Sequence, residues 1–381
     1  MFHIASENDI LKGSVTDAYF LRTMEILKHE DVNPQIVCEV RAGSFPDGWE
    51  WAVFAGLGEA IALLAALNKP IQARALPEGS LCYAQEPVLV IEGCYQDICI
   101  YETALLGLLC QASGIATRAA RCKLAAEGRP VYSFGARRMH PAVAPLVDRN
   151  AFIGGCDGVS GVLCAQQLGM PPVGTMPHSL ILVLGDTVGA ILAFDKIVSK
   201  NIPRIALIDT FADEKFEALR VAEAMGKRLH GIRLDTPLSR RGDYPRLLEE
   251  VRWELDLRGF HNIKILVSGG LTDWTIPPLN PYADAYGVGT FISNSPVVDF
   301  SLDIVEIEEE PVAKRGKRSG KKILAASASG ERRLFPASAK LPKGWKSLLQ
   351  EMISDGKLIG PLPSAQEIRE RVLRGFEKNL S

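Results

Sequence analysis

The sequence lacks the cysteine patterns of a disulfide scaffold or a zinc site. Its eight cysteines form no C-x-x-C pair, and none follows Cys164 in a chain of 381 residues. Closely spaced cysteine pairs are typical of zinc ribbons and fingers, whereas disulfide frameworks belong mainly to small secreted domains. We therefore expect reduced thiols, no structural zinc and a cytoplasmic location.

The sequence also lacks a charge excess of either sign. Its 43 lysine and arginine residues face 45 aspartate and glutamate residues, which gives a formal net charge of −2. This balance argues against nucleic acid as the main partner, and any anion site must be local. The basic run at residues 314–322 follows the acidic "EIEEE", so we interpret it as a solvated hairpin tip, with a phosphate-binding patch as the alternative.

Long apolar runs without charge are absent as well, and the N-terminus does not have the pattern of a signal peptide. The two most apolar segments, residues 51–70 and 179–194, contain Glu59 and Asp186 respectively. We interpret both as core helices rather than membrane spans, so no membrane partner is expected.

Four segments are predicted along the chain. Short β-like stretches around one helix indicate a small α+β domain over residues 1–100. Residues 101–127 are predicted to form a helical bridge with a break at Ser113-Gly114. An α/β barrel domain is predicted over residues 128–295, and residues 296–381 are predicted to form a β-rich return to the first domain with a helical tail.

The predicted barrel rests on a regular alternation of apolar runs and helical segments. Seven runs qualify as strands: "VYSFG", "GGCDGVSG", "PPVGTMP", "PRIALID", "GIRLD", "IKILVSGG" and "AYGVG". Alternation predicts parallel β/α units, and strands ending in polar residues or glycine favour a barrel that gathers them at its active-site rim. An open doubly wound sheet remains the alternative. The predicted fold class is α/β, a seven-stranded α/β barrel with a second, smaller α+β domain.

Two glycine turns follow the last two predicted strands. A single glycine turn would be interpreted as a tight turn with no ligand. Two glycine turns after the last two strands lie where barrels often bind phosphate through backbone N–H groups. We therefore predict a phosphate site at the residues of "SGG" and "GVGT", which are Ser268, Gly269, Gly270, Gly287, Gly289 and Thr290.

Charged side chains follow the other strands. Asp209 and Asp235 each come after an apolar run and could hold Mg²⁺ together with a polyphosphate, the alternative being helix N-capping. Arg137, Arg138 and Arg233 are candidate anchors for an anionic substrate, because a guanidinium fork matches a carboxylate or phosphate. 

A histidine follows the third predicted strand. His178 comes after "VGT", where a neutral imidazole could act as a nucleophile or a proton carrier, and a structural role is the alternative.

Six motifs in a fixed order carry a family resemblance. "TDAYF", "FGARR", "GTMPHS", "IRLDT", "VSGG" and "GVGT" extend over nearly the whole chain. In this combination the sequence resembles nicotinate phosphoribosyltransferase, particularly the shorter archaeal-type enzymes. The resemblance implies an irregular seven-stranded α/β barrel beside a small α+β domain. It also implies the conversion of nicotinate and phosphoribosyl pyrophosphate to nicotinate mononucleotide and pyrophosphate, with Mg²⁺ and coupled ATP hydrolysis.

The resemblance also implies roles for individual residues. Tyr19 would stack on the pyridine ring, often across a dimer interface, which implies a homodimer or a higher homo-oligomer. Thr175 and Arg233 would hold nicotinate, and Thr290 the ribose phosphate. His178 would be phosphorylated by ATP, although Pro177 stands before it where alanine is commoner in the family. We further assign Arg137 to nicotinate and Arg138 to phosphoribosyl pyrophosphate.

Two other functions remain open. Quinolinate phosphoribosyltransferase shares the architecture but decarboxylates a dicarboxylate, and its chains are typically shorter and lack this histidine motif. A non-catalytic barrel that binds a phosphate ligand is the second alternative. Nicotinamide is a poorer substrate candidate, because an arginine fork suits a carboxylate better than a neutral amide.

Overall fold

The fold is known from a computed structural model that describes residues 2–46 and 48–379. The helices are α1 Glu7–Leu11, α2 Ala18–His29, α3 Leu57–Ala66, α4 Tyr95–Ile98, α5 Glu102–Ala125, α6 Ala144–Ile153, α7 Val162–Gln167, α8 His178–Leu184, α9 Thr187–Ile197, α10 Glu214–Met225, α11 Leu238–Arg241, α12 Tyr244–Leu257, α13 Thr290–Ser293 and α14 Ala365–Asn379.

The strands are β1 Gln35–Ala42, β2 Ala52–Val53, β3 Gln72–Ala75, β4 Leu81–Cys82, β5 Pro87–Cys94, β6 Val131–Ser133, β7 Gly158–Val159, β8 Ile205–Leu207, β9 Gly231–Leu234, β10 Lys264–Ser268, β11 Ala285–Val288, β12 Phe300–Ile307, β13 Glu310–Pro311, β14 Lys322–Ala326, β15 Arg332–Pro336, β16 Lys346–Ser347, β17 Gln350–Ser354 and β18 Lys357–Leu358. The chain divides into a first unit, residues 1–117 with 296–381, and a second unit, residues 118–295.

The first unit is built on an antiparallel sheet of seven strands in the order β13-β12-β1-β5-β3-β17-β18. Strand β1 pairs with β12 on one side and β5 on the other, so residues from both ends of the chain share one sheet. The residues of β1 after Gln35 are buried, and Val40 and Ile91 pack with Ile61 and Leu64 of α3 in one hydrophobic core. The mixed α/β architecture predicted from the sequence is confirmed.

The basic run at residues 314–322 is not simply a solvated hairpin tip. Lys317 pairs with Asp303 at 2.8 Å, and Lys321 pairs with Glu92 at 2.6 Å. Lys322 begins β14, is buried, and donates to both carboxylate oxygens of Glu39 at 3.1 Å. The prediction of a fully solvated run is therefore wrong, because three of its lysines neutralise acidic side chains that the sheet brings beside them.

Helix α5 is continuous where a break at Ser113-Gly114 was predicted. The buried Ser113 hydroxyl accepts a hydrogen bond from the Ala55 N–H at 3.0 Å and donates one to the Ala55 carbonyl at 3.2 Å. Because the Ser113 hydroxyl bonds to a neighbouring segment, it does not compete with the backbone hydrogen bonds of its own helix. One glycine inside a helix lowers helix stability by only about 1 kcal/mol. The predicted break is wrong for these reasons.

The helical stretch Tyr95–Ala125 is long and apolar enough, by length and composition, to cross a membrane, and half of its most apolar window is buried inside the protein. Leu105 and Leu109 of this stretch belong to the hydrophobic core of the first unit. Packing within the fold therefore accounts for much of its apolar character.

The second unit contains a parallel sheet of six strands in the order β7-β6-β11-β10-β9-β8. Six of the seven predicted strands form, whereas residues 171–177 form no strand. Their single backbone bond to the sheet, within the described residues, runs from the Val173 N–H to the Val159 carbonyl at 2.9 Å. The prolines at 171, 172 and 177 explain this, since proline has no N–H to give to a ladder. Closure of the sheet into a barrel stays a prediction.

The apolar segment at residues 179–194 forms parts of two helices and not one core helix. Gly185 ends α8 with φ +80°, and Asp186 caps α9 by accepting from the Gly189 N–H at 2.6 Å. Val183 is 84% exposed and Leu182 57% exposed. The core-helix prediction is therefore wrong for the outer face of α8.

Candidate active site

A cavity of about 780 Å³ opens at the carboxyl ends of the parallel strands in the second unit. Parallel strands bring their carboxyl ends to one edge of a sheet, so residues that follow different strands meet there. The predicted residues that line it are Arg137, Arg138, Thr175, His178, Arg233, Asp235, Ser268, Gly269, Gly270, Gly287, Gly289 and Thr290. Other lining residues were not predicted, among them Phe134, Ser160, Met176, Pro237, Leu238 and Arg241.

The side chain of Arg233, a residue of β9, is held by several contacts. Its Nε donates to the Ser268 hydroxyl at 2.8 Å, and one terminal nitrogen donates to the Thr175 hydroxyl at 3.2 Å. The other terminal nitrogen lies 3.4 Å from a carboxylate oxygen of Asp235. The guanidinium also lies 5.1 Å from the centre of the Phe134 ring, a cation–π distance. Arg233 therefore has a fixed position in the cavity wall.

Ser268 joins Arg233 to Asp235. Its hydroxyl accepts from Arg233 and donates to the Asp235 carboxylate at 2.7 Å. Ser268 is almost fully buried at the end of β10, so water does not compete for these bonds. The Ser268 side chain thus orients an arginine and a carboxylate, and the predicted role of Ser268 in a phosphate site stays a prediction.

His178 contacts Asp209, which follows the carboxyl end of β8. The His178 Nε2 lies 3.2 Å from an Asp209 carboxylate oxygen. The Asp209 side chain is 2% exposed and that of His178 39% exposed, so the pair links a buried carboxylate to the open cavity. Burial raises the pKa of the Asp209 carboxyl, His178 acts in the opposite direction, and Asp235 raises it further.

The second carboxylate oxygen of Asp209 is buried and has no hydrogen-bond partner within the described part of the chain. A buried carboxylate oxygen without a partner is costly unless a ligand or water completes it. Neither Asp209 nor Asp235 caps a helix. The helix after β8 has Asp213 at its N-cap and the helix after β9 has Pro237, so the capping alternative is wrong for both aspartates. Residues 2–46 and 48–379 hold no cluster of three His, Cys, Asp or Glu side chains suited to a metal.

The glycine turns have distinct structural reasons. Gly269 and Gly270 have φ of +85° and +62°, in the left-handed region that disfavours other residues. Gly287 gives room to Phe134, because a Cβ at Gly287 would lie 2.3 Å from the Phe134 ring. That ring in turn lies against the Arg233 guanidinium.

The remaining predicted residues are at the rim or elsewhere. Arg137 and Arg138 form a 3₁₀ turn, Ala136–Arg138, after β6, and both are exposed at the cavity. Thr290 begins the short helix α13 and is also exposed. Tyr19 belongs to the first unit, where it lies on α2 and is 55% exposed. Its role stays a prediction.

Two domain models match this chain. "Quinolinate phosphoribosyl transferase, N-terminal domain" matches residues 17–113, and "Quinolinate phosphoribosyl transferase, C-terminal domain" matches residues 115–303. The crystal structure of a Pyrococcus furiosus protein described as nicotinate-nucleotide pyrophosphorylase is 50% identical, with a TM-score of 0.97, and the match covers 100% of this chain and 99% of that one. The chain therefore belongs to the phosphoribosyltransferase family that these two domains define.

Curated relatives and one further structure extend the comparison. A Mycobacterium tuberculosis protein named nicotinate phosphoribosyltransferase pncB1 is 29% identical over 344 residues, which cover 81% of this chain and 76% of that protein. A Bacillus subtilis protein named nicotinate phosphoribosyltransferase is 32% identical over 62% of this chain and 49% of its own length. The human nicotinic acid phosphoribosyltransferase structure shares the fold, with a TM-score of 0.80 at 20% identity, covering 96% of this chain and 94% of that one.

Proposed function

We propose that this protein is a nicotinate phosphoribosyltransferase, which converts nicotinate and phosphoribosyl pyrophosphate to nicotinate mononucleotide and pyrophosphate in NAD biosynthesis. The observation that carries the proposal is the arrangement around Arg233. The names of the curated relatives support the same activity. The archaeal-type subgroup is supported by the full-length similarity to the Pyrococcus furiosus protein.

Arg233 has the geometry to bind one carboxylate. A guanidinium carries five N–H groups; hydrogen bonds to Ser268 and Thr175 use two of them, and Asp235 lies 3.4 Å from the second terminal nitrogen. One N–H on each terminal nitrogen remains, which is the fork that grips a carboxylate bidentately. The Phe134 ring beside the guanidinium adds an apolar surface suited to an aromatic acid. A pyridine carboxylate meets both features.

The chemistry of this reaction needs alignment more than a base. The pyridine nitrogen already carries a lone pair, so it can attack the anomeric carbon of the ribose while the bond to pyrophosphate breaks. Arg233 would fix the carboxylate and thereby orient the ring nitrogen, and the glycine turns would hold the phosphates of the second substrate. At the rim, Arg138 would stabilise the charge on the departing pyrophosphate, and Arg137 would contribute to nicotinate binding.

A magnesium ion fits the donor set beside these residues. Asp209 offers an unpartnered buried oxygen, and Asp235 lies close enough to raise the pKa of Asp209. Mg²⁺ is usually held by one or two carboxylates together with substrate phosphates and water. When bound, the ion would neutralise charge on the pyrophosphate.

His178 is the proposed acceptor of a phosphoryl group from ATP. A proton on Nε2, donated to Asp209, leaves the lone pair of a neutral imidazole on Nδ1. Attack by that lone pair on the γ-phosphorus would release ADP and place two negative charges beside the pyrophosphate site. Tyr19 supplied by a second copy of the chain, and hence a homodimer or a higher homo-oligomer in the cytoplasm, completes the proposal.

Quinolinate is the second candidate substrate, because the matching domain models carry that name. A second carboxylate needs a second cation, and Arg137 or Arg138 could supply it. The deciding experiment measures pyrophosphate release from phosphoribosyl pyrophosphate and Mg²⁺ with nicotinate, quinolinate or nicotinamide, each with and without ATP. Turnover with nicotinate but not with the other two pyridines supports the proposal. Turnover with quinolinate and release of CO₂ supports the alternative, and no turnover with any pyridine indicates a non-catalytic barrel.

The role of His178 has its own test. Incubation with γ-labelled ATP should give an acid-labile, base-stable label on the wild type and none on His178→Asn. The His178→Asn variant should also lose the stimulation of turnover by ATP. Equal labelling, or equal rates and equal ATP dependence, in the two proteins would remove His178 from the mechanism.

A further inference from the structure

Arg241, at the end of α11, connects two loops of the cavity. Its Nε donates to the Thr236 carbonyl at 2.6 Å, in the loop that follows β9. One terminal nitrogen donates to the Gly269 carbonyl and lies 3.4 Å from the Ser268 carbonyl, in the turn that follows β10. The Nε and one terminal nitrogen lie on the same edge of a guanidinium, so a single planar group can bridge both loops.

The surroundings of Arg241 make this bridge rigid. The residue is 8% exposed, and its guanidinium lies 4.6 Å from the centre of the Tyr244 ring, which is itself buried. Hydrogen bonds from a charged donor are stronger than neutral ones, particularly where water is excluded. The positions of the two loops are therefore coupled through one side chain.

The bridge fixes the direction of two backbone N–H groups. In a trans peptide the carbonyl and the N–H point to opposite sides, so carbonyls of Ser268 and Gly269 drawn toward Arg241 turn the N–H groups of Gly269 and Gly270 away from it. Within the part of the chain that the structure describes, the Gly270 N–H has no backbone acceptor. Both glycines line the cavity with left-handed backbone. Unpartnered N–H groups in such a turn form a concavity that suits an anion.

We propose that Arg241 is a positioning residue that holds the Gly269–Gly270 turn in its phosphate-binding conformation, and so determines affinity for phosphoribosyl pyrophosphate far more than affinity for nicotinate. Ser268, which orients Arg233, is held separately as the last residue of β10 and by its own side-chain bonds to Arg233 and Asp235. This inference rests on the proposed function. Nicotinate recognition depends on side chains that Arg233 organises, whereas Arg241 acts through backbone carbonyls on the other side of the turn. The two substrates should therefore respond separately to changes at Arg241.

The test uses the intact chain and the variants Arg241→Met, Arg241→Lys and Arg241→Ala. Arg240→Met is the matched control, because Arg240 is exposed on the same short helix and does not line the cavity. Binding of phosphoribosyl pyrophosphate with Mg²⁺ is measured by calorimetry, KM is measured for each substrate, and Tm is measured for each variant. Arg241→Met should weaken binding and raise KM for phosphoribosyl pyrophosphate about ten- to hundredfold, as expected when bonds from a charged donor are lost.

Further outcomes separate positioning from other roles. KM for nicotinate should stay within about twofold of wild type, and Arg240→Met should behave as wild type. Arg241→Lys should recover little, because one ammonium cannot bridge both loops, whereas guanidinium added at millimolar concentration should partly restore Arg241→Ala. Unchanged binding in Arg241→Met, nearly full activity in Arg241→Lys, or a parallel loss for both substrates with a lower Tm would overturn the inference. If wild type binds no phosphoribosyl pyrophosphate, the proposed function itself fails.

Discussion

Replacing Arg233 by lysine tests the proposed recognition of the nicotinate carboxylate. Lysine keeps the positive charge but has one nitrogen, whereas Arg233 donates to Ser268 at 2.8 Å and Thr175 at 3.2 Å and still retains a fork for substrate. The variant would lose at least one of two charge-assisted bonds to nicotinate. Each such bond contributes about 1.5–3 kcal/mol, which corresponds to a rise of about 10- to 150-fold in KM for nicotinate.

The assay varies nicotinate at saturating phosphoribosyl pyrophosphate, then reverses the two, and records the free energy of unfolding by urea denaturation. Loss of the bonds to Ser268 and Thr175 should lower that free energy by about 1–2 kcal/mol, since each neutral acceptor contributes about 1 kcal/mol. Arg246→Lys, at a side chain 81% exposed, is the control. A KM for nicotinate within twofold of wild type, or an equal rise for both substrates, would refute this account of carboxylate recognition.

Three further predictions concern other parts of the molecule. Burial raises the pKa of the Asp209 carboxyl, so the contribution of Asp209 to stability is present below its ordinary pKa of 3.8 and is lost as pH rises through the raised pKa. At pH 8 the Asp209→Asn variant should therefore be more stable than wild type in urea denaturation, yet inactive in rate assays. Gly287→Ala should lower the free energy of unfolding by about 1–3 kcal/mol and reduce turnover, because the added Cβ would displace the Phe134 ring; unchanged turnover would contradict the packing argument. Burial, with Asp303 and Asp17 adding to it, raises the pKa of Glu102 from 4.5 to about 7. The contribution of Glu102 to stability is therefore complete below pH 4.5, falls as pH rises through about 7 and is lost above it. The Tm of Glu102→Gln should exceed that of wild type at pH 8 and match it at pH 4.5.

Much of the candidate site could be predicted because parallel strands collect their ends at one edge. Ser268 is 35 residues from Arg233 and 33 from Asp235 in sequence, but β9 and β10 are adjacent strands, and the structure joins the three side chains in one network. The positive φ of Gly269 likewise agrees with the predicted turn. Alternation of strands and helices was sufficient to predict that these residues lie at one edge of the sheet, whereas the bonds between them were not predicted.

Other features depend on packing that a linear pattern does not contain. Arg241 follows Arg240 in sequence with nothing to distinguish them, and only the docking of α11 buries one and exposes the other. The apolar segment ending at Phe194 was predicted as one buried helix because hydrophobicity does not reveal which face remains uncovered. The run "PPVGTMP" was predicted as a strand on apolar content alone, although its prolines remove ladder donors.

That proline-rich run has a consequence for the turnover cycle. It carries Thr175 and leads directly into His178, yet within the described residues it shares one backbone bond with the sheet. A shift of this segment would therefore break a single main-chain bond, about 1 kcal/mol, rather than open a sheet edge. Under the proposed function, phosphorylation at His178 would thus be transmitted to the proposed nicotinate contact at Thr175 through three residues of backbone, while the parallel strands remain in place.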